Sequence, residues 1–298
     1  MPPKTSYVPE STIRNTPLPN HGVKYSVISH SLVIDATRSS LTKAALVIDK
    51  ELYKCSLDGQ VAQGIYHLVS NDDPEIGMMF AWGNSYNKIH RFKCAVGARV
   101  YVCDNGMING DAASYSRIHK GATALTEALN SIDNQIQSAS GHFAQLIADK
   151  EALKTVLLNR RDQSSILGQL YAVEDAITLH QVGMIKKEMD QSTYDYSTER
   201  ETVDFNSAWA MYNHVTNALK ESHPANYLKD HQLVHDFFVK NFITKTTDGY
   251  DNKTELTEPV LSFDDAHILQ KEISFENLEF QDEMANVSPT KVFGVNFS

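Results

Sequence analysis

Within twelve residues the chain places Lys88, His90, Arg91, Lys93 and Arg99, with Tyr86, Phe92 and Tyr101 interleaved and Asn84 just ahead. Cations at this density neutralise phosphates, and rings among them can stack on bases. In an extended segment, successive side chains alternate between two faces. Arg91, Lys93, Arg99 and Tyr101 then share one face, and Phe92, Cys94, Val96, Val100 and Val102 share the other. The pattern predicts a strand with one apolar face and one basic face carrying an aromatic. Lys88, His90, Arg91, Lys93, Arg99, Tyr86, Tyr101 and Asn84 are the candidate nucleic-acid-binding residues. A second reading stands beside this one. An antiparallel sheet commonly has one solvated face, whose charges could pair with carboxylates in the acidic helices.

Other chemistry is sparse. His231 and His235 are spaced i, i+4, which puts both on one helix face, but Gln232, Leu233 and Val234 between them give no HExxH pattern and no metal site is assigned. Cys55, Cys94 and Cys103 are an odd number without a CxxC pair, which suits a reducing cytoplasm, and Cys94 and Cys103 read as core thiols. No GxSxG, GxxxxGK[ST] or GxGxxG motif occurs, and the pairs Asp72-Asp73 and Asp264-Asp265 fall in loops. No catalytic residue and no cofactor is expected; an enzyme with a site near Asn84–His90 is a third reading.

The elements that must position the basic residues read as follows. Residues 1–22 contain five prolines and are expected to form an extended arm, disordered or laid across a neighbouring subunit. His30 to Leu46 has helical periodicity, with Ser29 or Ser31 as cap. Strands are expected over 45–56 and 61–69, joined at Asp58-Gly59, then over 77–82 and 92–102, with an exposed loop at 83–88 and a turn at 104–107. The apolar positions Ile118, Ala122, Leu125, Leu129, Ile132, Ile136, Ala139, Phe143 and Leu146 step by four and three, a heptad seam on a helix of about 40 residues. Gly141 is a candidate bend. The seam fits packing within the chain, and it also fits pairing between subunits. Helical pieces follow over 151–190, 204–220 and 231–242, with a polar loop at 191–203. The expected class is α+β: an antiparallel sheet preceded by one helix and followed by a long helix and a mainly helical C-terminal half. The expected divisions are an arm at 1–22, helix plus sheet at 23–110, a helical region at 111–242 and an acidic, loop-rich tail at 243–298.

The chain has 298 residues and a net charge of −10. Residues 1–120 carry 13 Lys and Arg against 10 Asp and Glu, and residues 121–298 carry 14 against 27. The acidity is therefore confined to the C-terminal part, and a local basic site remains compatible with it. No apolar run reaches the length of a membrane span, and no apolar signal core opens the chain. The expected location is the cytoplasm, that of the host cell if the protein is phage-encoded.

The segment WGNSYNKIHRFKCAVGARVYVCDNGM at 82–107 resembles the signature of a phage- and plasmid-borne family, domain of unknown function 932. The helix and hairpin at 29–69 and SAWAMYNHVTNALKE at 207–221 match the same family, so the resemblance covers roughly 25–225. It implies a mobile-element setting and brings no catalytic residue. The order of elements is also similar to that of phage single-strand annealing proteins, by analogy alone. The functional expectation is binding of single-stranded nucleic acid, for annealing or protection, by an oligomer assembled through the 118–146 seam. The alternative is a phage protein that binds and inhibits a host defence protein without catalysis.

Overall fold

In the computed structural model, the described residues are 7–21, 27–88, 90–101, 104–109, 114–117, 123–190 and 206–243, all within one compact unit spanning residues 1–250. The fold is α+β. Helix α1 (Glu10–Arg14) and helix α2 (His30–Lys43) precede strands β1 (Ile48–Cys55), β2 (Val61–Leu68), β3 (Ile76–Ser85) and β4 (Phe92–Val100). The four strands form an antiparallel meander in that order, and β5 (Gly106–Met107) and β6 (Ser114–Arg117) both pair with β4. The hairpin between β1 and β2 turns at Gly59, whose φ of 69° is open to glycine at no steric cost.

Alternation along the strands divides the side chains as their sequence pattern requires. Tyr66, Phe80, Trp82, Phe92, Cys94 and Val96 face the main core. Ile65, Met79, Ala81 and Ala95 face a smaller cluster on the opposite side. The main face is covered by α2, by α3 (Ala124–Gln137) and by α4 (Ala139–Thr155). Then follow α5 (Arg160–Ala172), α6 (Leu179–Asp190), α7 (Ala208–Ala218) and α8 (Tyr227–Phe238), which continues as a π-turn, Val239–Ile243. Tyr227 and Leu228 of α8 close the smaller cluster on the other face.

Several expectations change here. Residues 7–21 do not leave the molecule as an arm. Val8 donates its amide to the Tyr53 carbonyl at 2.9 Å, Tyr7 bridges Lys54, and Ile13 is buried. The outer edge of β1 is thereby covered, which removes a template for edge-to-edge pairing. Arg38 reaches both Glu10 and Glu51, tying α1 to α2 and β1.

The expected 40-residue helix is broken at Ser138, ahead of Gly141. Ser138 Oγ donates to the carbonyls of Asn134 and Gln135, both at 3.1 Å, and this local bonding diverts acceptors at the helix end. Its seam residues Ile132, Ile136, Ala139, Phe143 and Leu146 are buried in the main core of the same chain, while Ile118 and Ala122 lie outside the described residues. The cap of α5 is Asn159. It accepts from the amides of Arg161 and Asp162, and Asp162 accepts from the Asn159 amide in return, a capping box. The expected loop at 191–203 and the tail after Ile243 lie outside the described residues.

One buried charge network pins the loop before β3 to α4. The Lys150 side chain is 1 % exposed and bonds Asp73 at 2.7 Å and Glu75 at 2.6 Å. Burial alone would pull its ammonium down, but the bonds to Asp73, Glu151 and Glu75 outweigh this and raise it. Burial pushes the Asp73 carboxyl up, and Lys150 with the amides of Glu75 and Ile76 brings it below its ordinary value. Next to it, Asp149 accepts from His235 at 3.2 Å. His235 is thus paired inside the core, and His231 is fully buried one turn earlier. No cluster of three metal-ligating side chains forms among the described residues.

Candidate functional site

The expected basic face is real in its parity and divided in its use. Lys93 and Arg99 lie on the same face of β4, six residues and about 20 Å apart. Between them Ala95 lies under Tyr227 and Leu228, so α8 covers the middle of the face. The two ends differ in kind.

At one end Arg99 is neutralised. Its guanidinium donates to Asp49 at 2.9 Å and to His67 Nδ1 at 2.8 Å, and it lies 3.6 Å from Asp104. It also sits 5.2 Å from the centre of the Tyr101 ring, whose hydroxyl donates to the Ser70 carbonyl. Burial, then Arg99, pull the His67 imidazole down to about 4. Arg99 and Tyr101 serve the sheet end, and the charge pairing there is with Asp49 of β1 and Asp104 after β4, not with carboxylates of the acidic helices.

At the other end, β3 extends to Ser85 and draws the expected loop into the core. Asn84 is buried, donating to the Ile28 carbonyl at 2.7 Å and contacting His30 Nδ1 at 2.9 Å. Tyr86 is buried, its ring stacked on His30 with centroids 3.8 Å apart and its hydroxyl accepting from the His30 amide. Burial raises the Tyr86 hydroxyl. Asn84 and Tyr86 thus position the start of α2, and Asn84 also lines the adjacent recess. Their polar neighbours in sequence hid this, because the partner, His30, is more than fifty residues away.

What remains is a compact cationic notch. Val61, Gly83, Asn84, His90, Arg91, Lys93, Pro224, Ala225 and Leu228 line it. Gly83 leaves space there: a Cβ at this position would meet nothing nearer than the Pro224 carbonyl at 3.9 Å. The notch is shallow, with a cavity volume of about 10 Å³. Lys88 stands exposed nearby with a φ of 63°. Arg91 is exposed, and Lys93 and His90 are half-buried.

The helical half adds residues that sequence reasoning did not assemble. His223 brings its ring to 6.3 Å from His90, and Lys229 stands close enough to act on Lys93. Burial, then Lys229, then Arg91 lower the Lys93 ammonium, with Asp230 opposing. Burial, His223 and Lys93 likewise lower His90. Burial pushes the half-buried Asp230 carboxyl up to about 6 against the pull of Ser222, Lys229 and Lys93. Among the described residues, the side chains of Arg91, Lys93 and Lys229 make no ion pair or hydrogen bond. The amino end of α8 borders the notch through Ala225 and Leu228, and its cap residue Asn226 makes no side-chain cap bond. Unpaired cations beside a helix amino terminus suit an anion.

A second recess lies between α5 and α6. Leu167, Tyr171, Val182 and Met189 line it with Arg160 and Lys186 at its rim, and its volume is about 380 Å³. No helix among the described residues is long and apolar enough to cross a membrane.

No curated protein and no solved structure matches this chain. The sequence profile of domain of unknown function 932 matches residues 62–258, two thirds of the chain. The match takes in the whole segment around the notch, begins inside the hairpin and runs past residue 225, where the motif resemblance ended. The chain belongs to the family named domain of unknown function 932.

Proposed function

We propose that this is a phage or mobile-element protein of the cytoplasm that binds single-stranded nucleic acid through the notch at the start of β4. The observation that carries this reading is the set of unpaired cations Arg91, Lys93 and Lys229, with His90 and His223, in a chain whose net charge is −10. A cation held half-buried without a counter-ion is costly to the fold. Its natural complement is an anion from outside the chain, and phosphate is the one that Lys and Arg clusters accept most readily. Of the residues expected from sequence, Lys88, His90, Arg91 and Lys93 belong to this contact set. Arg99, Tyr101, Tyr86 and Asn84 hold the scaffold around it, and Lys229 and His223 join. No catalytic step is assigned to these residues.

The test is fluorescence anisotropy with a labelled single-stranded oligonucleotide across a salt series. Each phosphate contact contributes about −0.7 to the slope of log affinity against log salt for single strands. The double variant Arg91→Ala, Lys93→Ala is expected to weaken binding and flatten that slope by about 1.4. Binding unchanged in this variant removes the proposal. Annealing or protection through an assembly at the 118–146 seam is the fuller form of the reading, and light scattering with and without the oligonucleotide tests it.

The alternative, binding and inhibition of a host defence protein, draws on the recess between α5 and α6, where Tyr171 is exposed beside Leu167, Val182 and Met189. An apolar recess of this kind fits a side chain of another protein. Capture of one host protein, lost on Leu167→Asp with nucleic-acid binding absent, would favour it.

A further inference from the structure

We propose that the notch receives a terminal phosphate monoester, so that the protein engages nucleic-acid ends in preference to internal phosphodiesters. This rests on the reading above and narrows it to a ligand class. Three observations support it. The unpaired charge is gathered at a point and does not run along the sheet. Arg91, Lys93 and His90 line one recess, and Lys229 acts on Lys93 from beside it with Asp230 opposing, while Arg99, the cation that would extend a track along β4, is paired with Asp49 and Asp104. An internal strand needs cations spaced along its backbone. A single focus suits the group of highest charge, and a monoester carries about −1.5 to −2 near pH 7 against −1 for a diester.

The size of the notch agrees. Its cavity volume, about 10 Å³, has room for about one oxygen-sized group, so a base cannot enter. The remaining oxygens of a terminal phosphate would lie outside it, beside the exposed Arg91. Arg91 supplies a planar fork able to donate two bonds to one phosphate.

An unpartnered amide lies one strand away from Gly83. The strand register sets Lys54, Gln63, Gly83 and Lys93 in one row across β1, β2, β3 and β4. Gly83 is the gap in that row. Gln63 beside it is 1 % exposed, and neither atom of its amide has a partner among the described residues. A buried amide without a partner is costly unless a ligand or water completes it.

The experiment uses the full chain and one labelled single-stranded sequence in three forms: 5′-phosphorylated, 3′-phosphorylated and with hydroxyls at both ends. One phosphorylated form is expected to bind about tenfold tighter than the hydroxyl form, the size of one charge-assisted hydrogen bond. Inorganic phosphate should compete away that advantage and leave the residual binding. The variant Gly83→Ala adds a methyl group to the notch without removing a charge or meeting a neighbour closer than 3.9 Å. It should abolish the preference, so that the phosphorylated and hydroxyl forms bind alike. Equal binding of all three forms overturns the end preference and leaves the reading of the preceding section standing. Binding of none of them overturns both. A preference that survives Gly83→Ala with full strength also overturns the placement in the notch.

Discussion

Lys150 and Lys93 are both removed from bulk water, and they are treated in opposite ways. Lys150 is fully buried and bonded to Asp73, Glu75 and Glu151, and the net effect raises its ammonium. Lys93 is half-buried and makes no ion pair or hydrogen bond among the described residues, and burial lowers its ammonium, with Asp230 opposing at longer range. The first is a structural ion whose partners come from its own chain. The second is a cation that its own chain leaves without a bonded partner. Arg99, on the same strand face as Lys93, falls with the first kind. The contrast separates charges that hold a fold from charges available to a ligand.

Replacing Lys150 should have the largest effect. Lys150→Ala leaves Asp73 buried without a counter-ion and Glu75 with Lys154 alone, and should cost about 3–5 kcal/mol in chemical denaturation. The pH dependence has a defined sign. Asp73 sits below its ordinary value, so its contribution is complete above about 4 and fades as pH falls through the lowered folded value. The wild type should lose this increment in acid, and Lys150→Ala should show little of it. A variant as stable as wild type would break the first half of the comparison.

Lys93→Met should invert the pattern. Removing an unpaired, half-buried ammonium should leave stability within about 1 kcal/mol of wild type, on the stabilising side. Affinity for a single-stranded oligonucleotide should fall about tenfold. A large loss of stability with unchanged affinity would place Lys93 with Lys150.

Asp230→Asn is a smaller and more pointed change. Burial keeps this carboxyl at about 6, so the folded state binds its proton more readily than the unfolded chain does. Stability attributable to Asp230 is therefore highest below about 4 and declines as pH rises through about 6. The variant should be more stable than wild type at pH 7, by on the order of 1–2 kcal/mol, with the difference vanishing near pH 4 in thermal melts. It should also bind the oligonucleotide a few-fold tighter, since the acid opposing Lys93, Lys229 and the helix end is gone. Arg99→Gln should have the smallest effect, with a salt slope indistinguishable from wild type.

The sequence carried the local geometry well and the partners poorly. Alternation from Phe92 to Val100 is a property of the strand itself, so the apolar and basic faces were readable, as was the turn at Gly59. The layer that covers the basic face comes from α8, more than a hundred residues later, and nothing near Arg91 announces it. For the same reason His223 and Lys229 went unassigned. His223-Pro224 before a helix was the available signal for a chain reversal, but not for its destination. Tyr86 and Asn84 looked like ligand-facing residues because their neighbours are polar. Long-range stacking on His30 determines their role, and sequence spacing does not encode it. Lys150 was visible as the residue where the heptad pattern stops. Its burial follows from carboxylates on the loop before β3, which periodicity cannot reveal.

The most direct test of the central claim is the salt dependence of single-strand affinity for wild type beside Arg91→Ala, Lys93→Ala and beside Arg99→Gln. The notch predicts a slope reduced by about 1.4 in the first and unchanged in the second. Equal slopes in all three proteins, or a loss confined to Arg99→Gln, would contradict it.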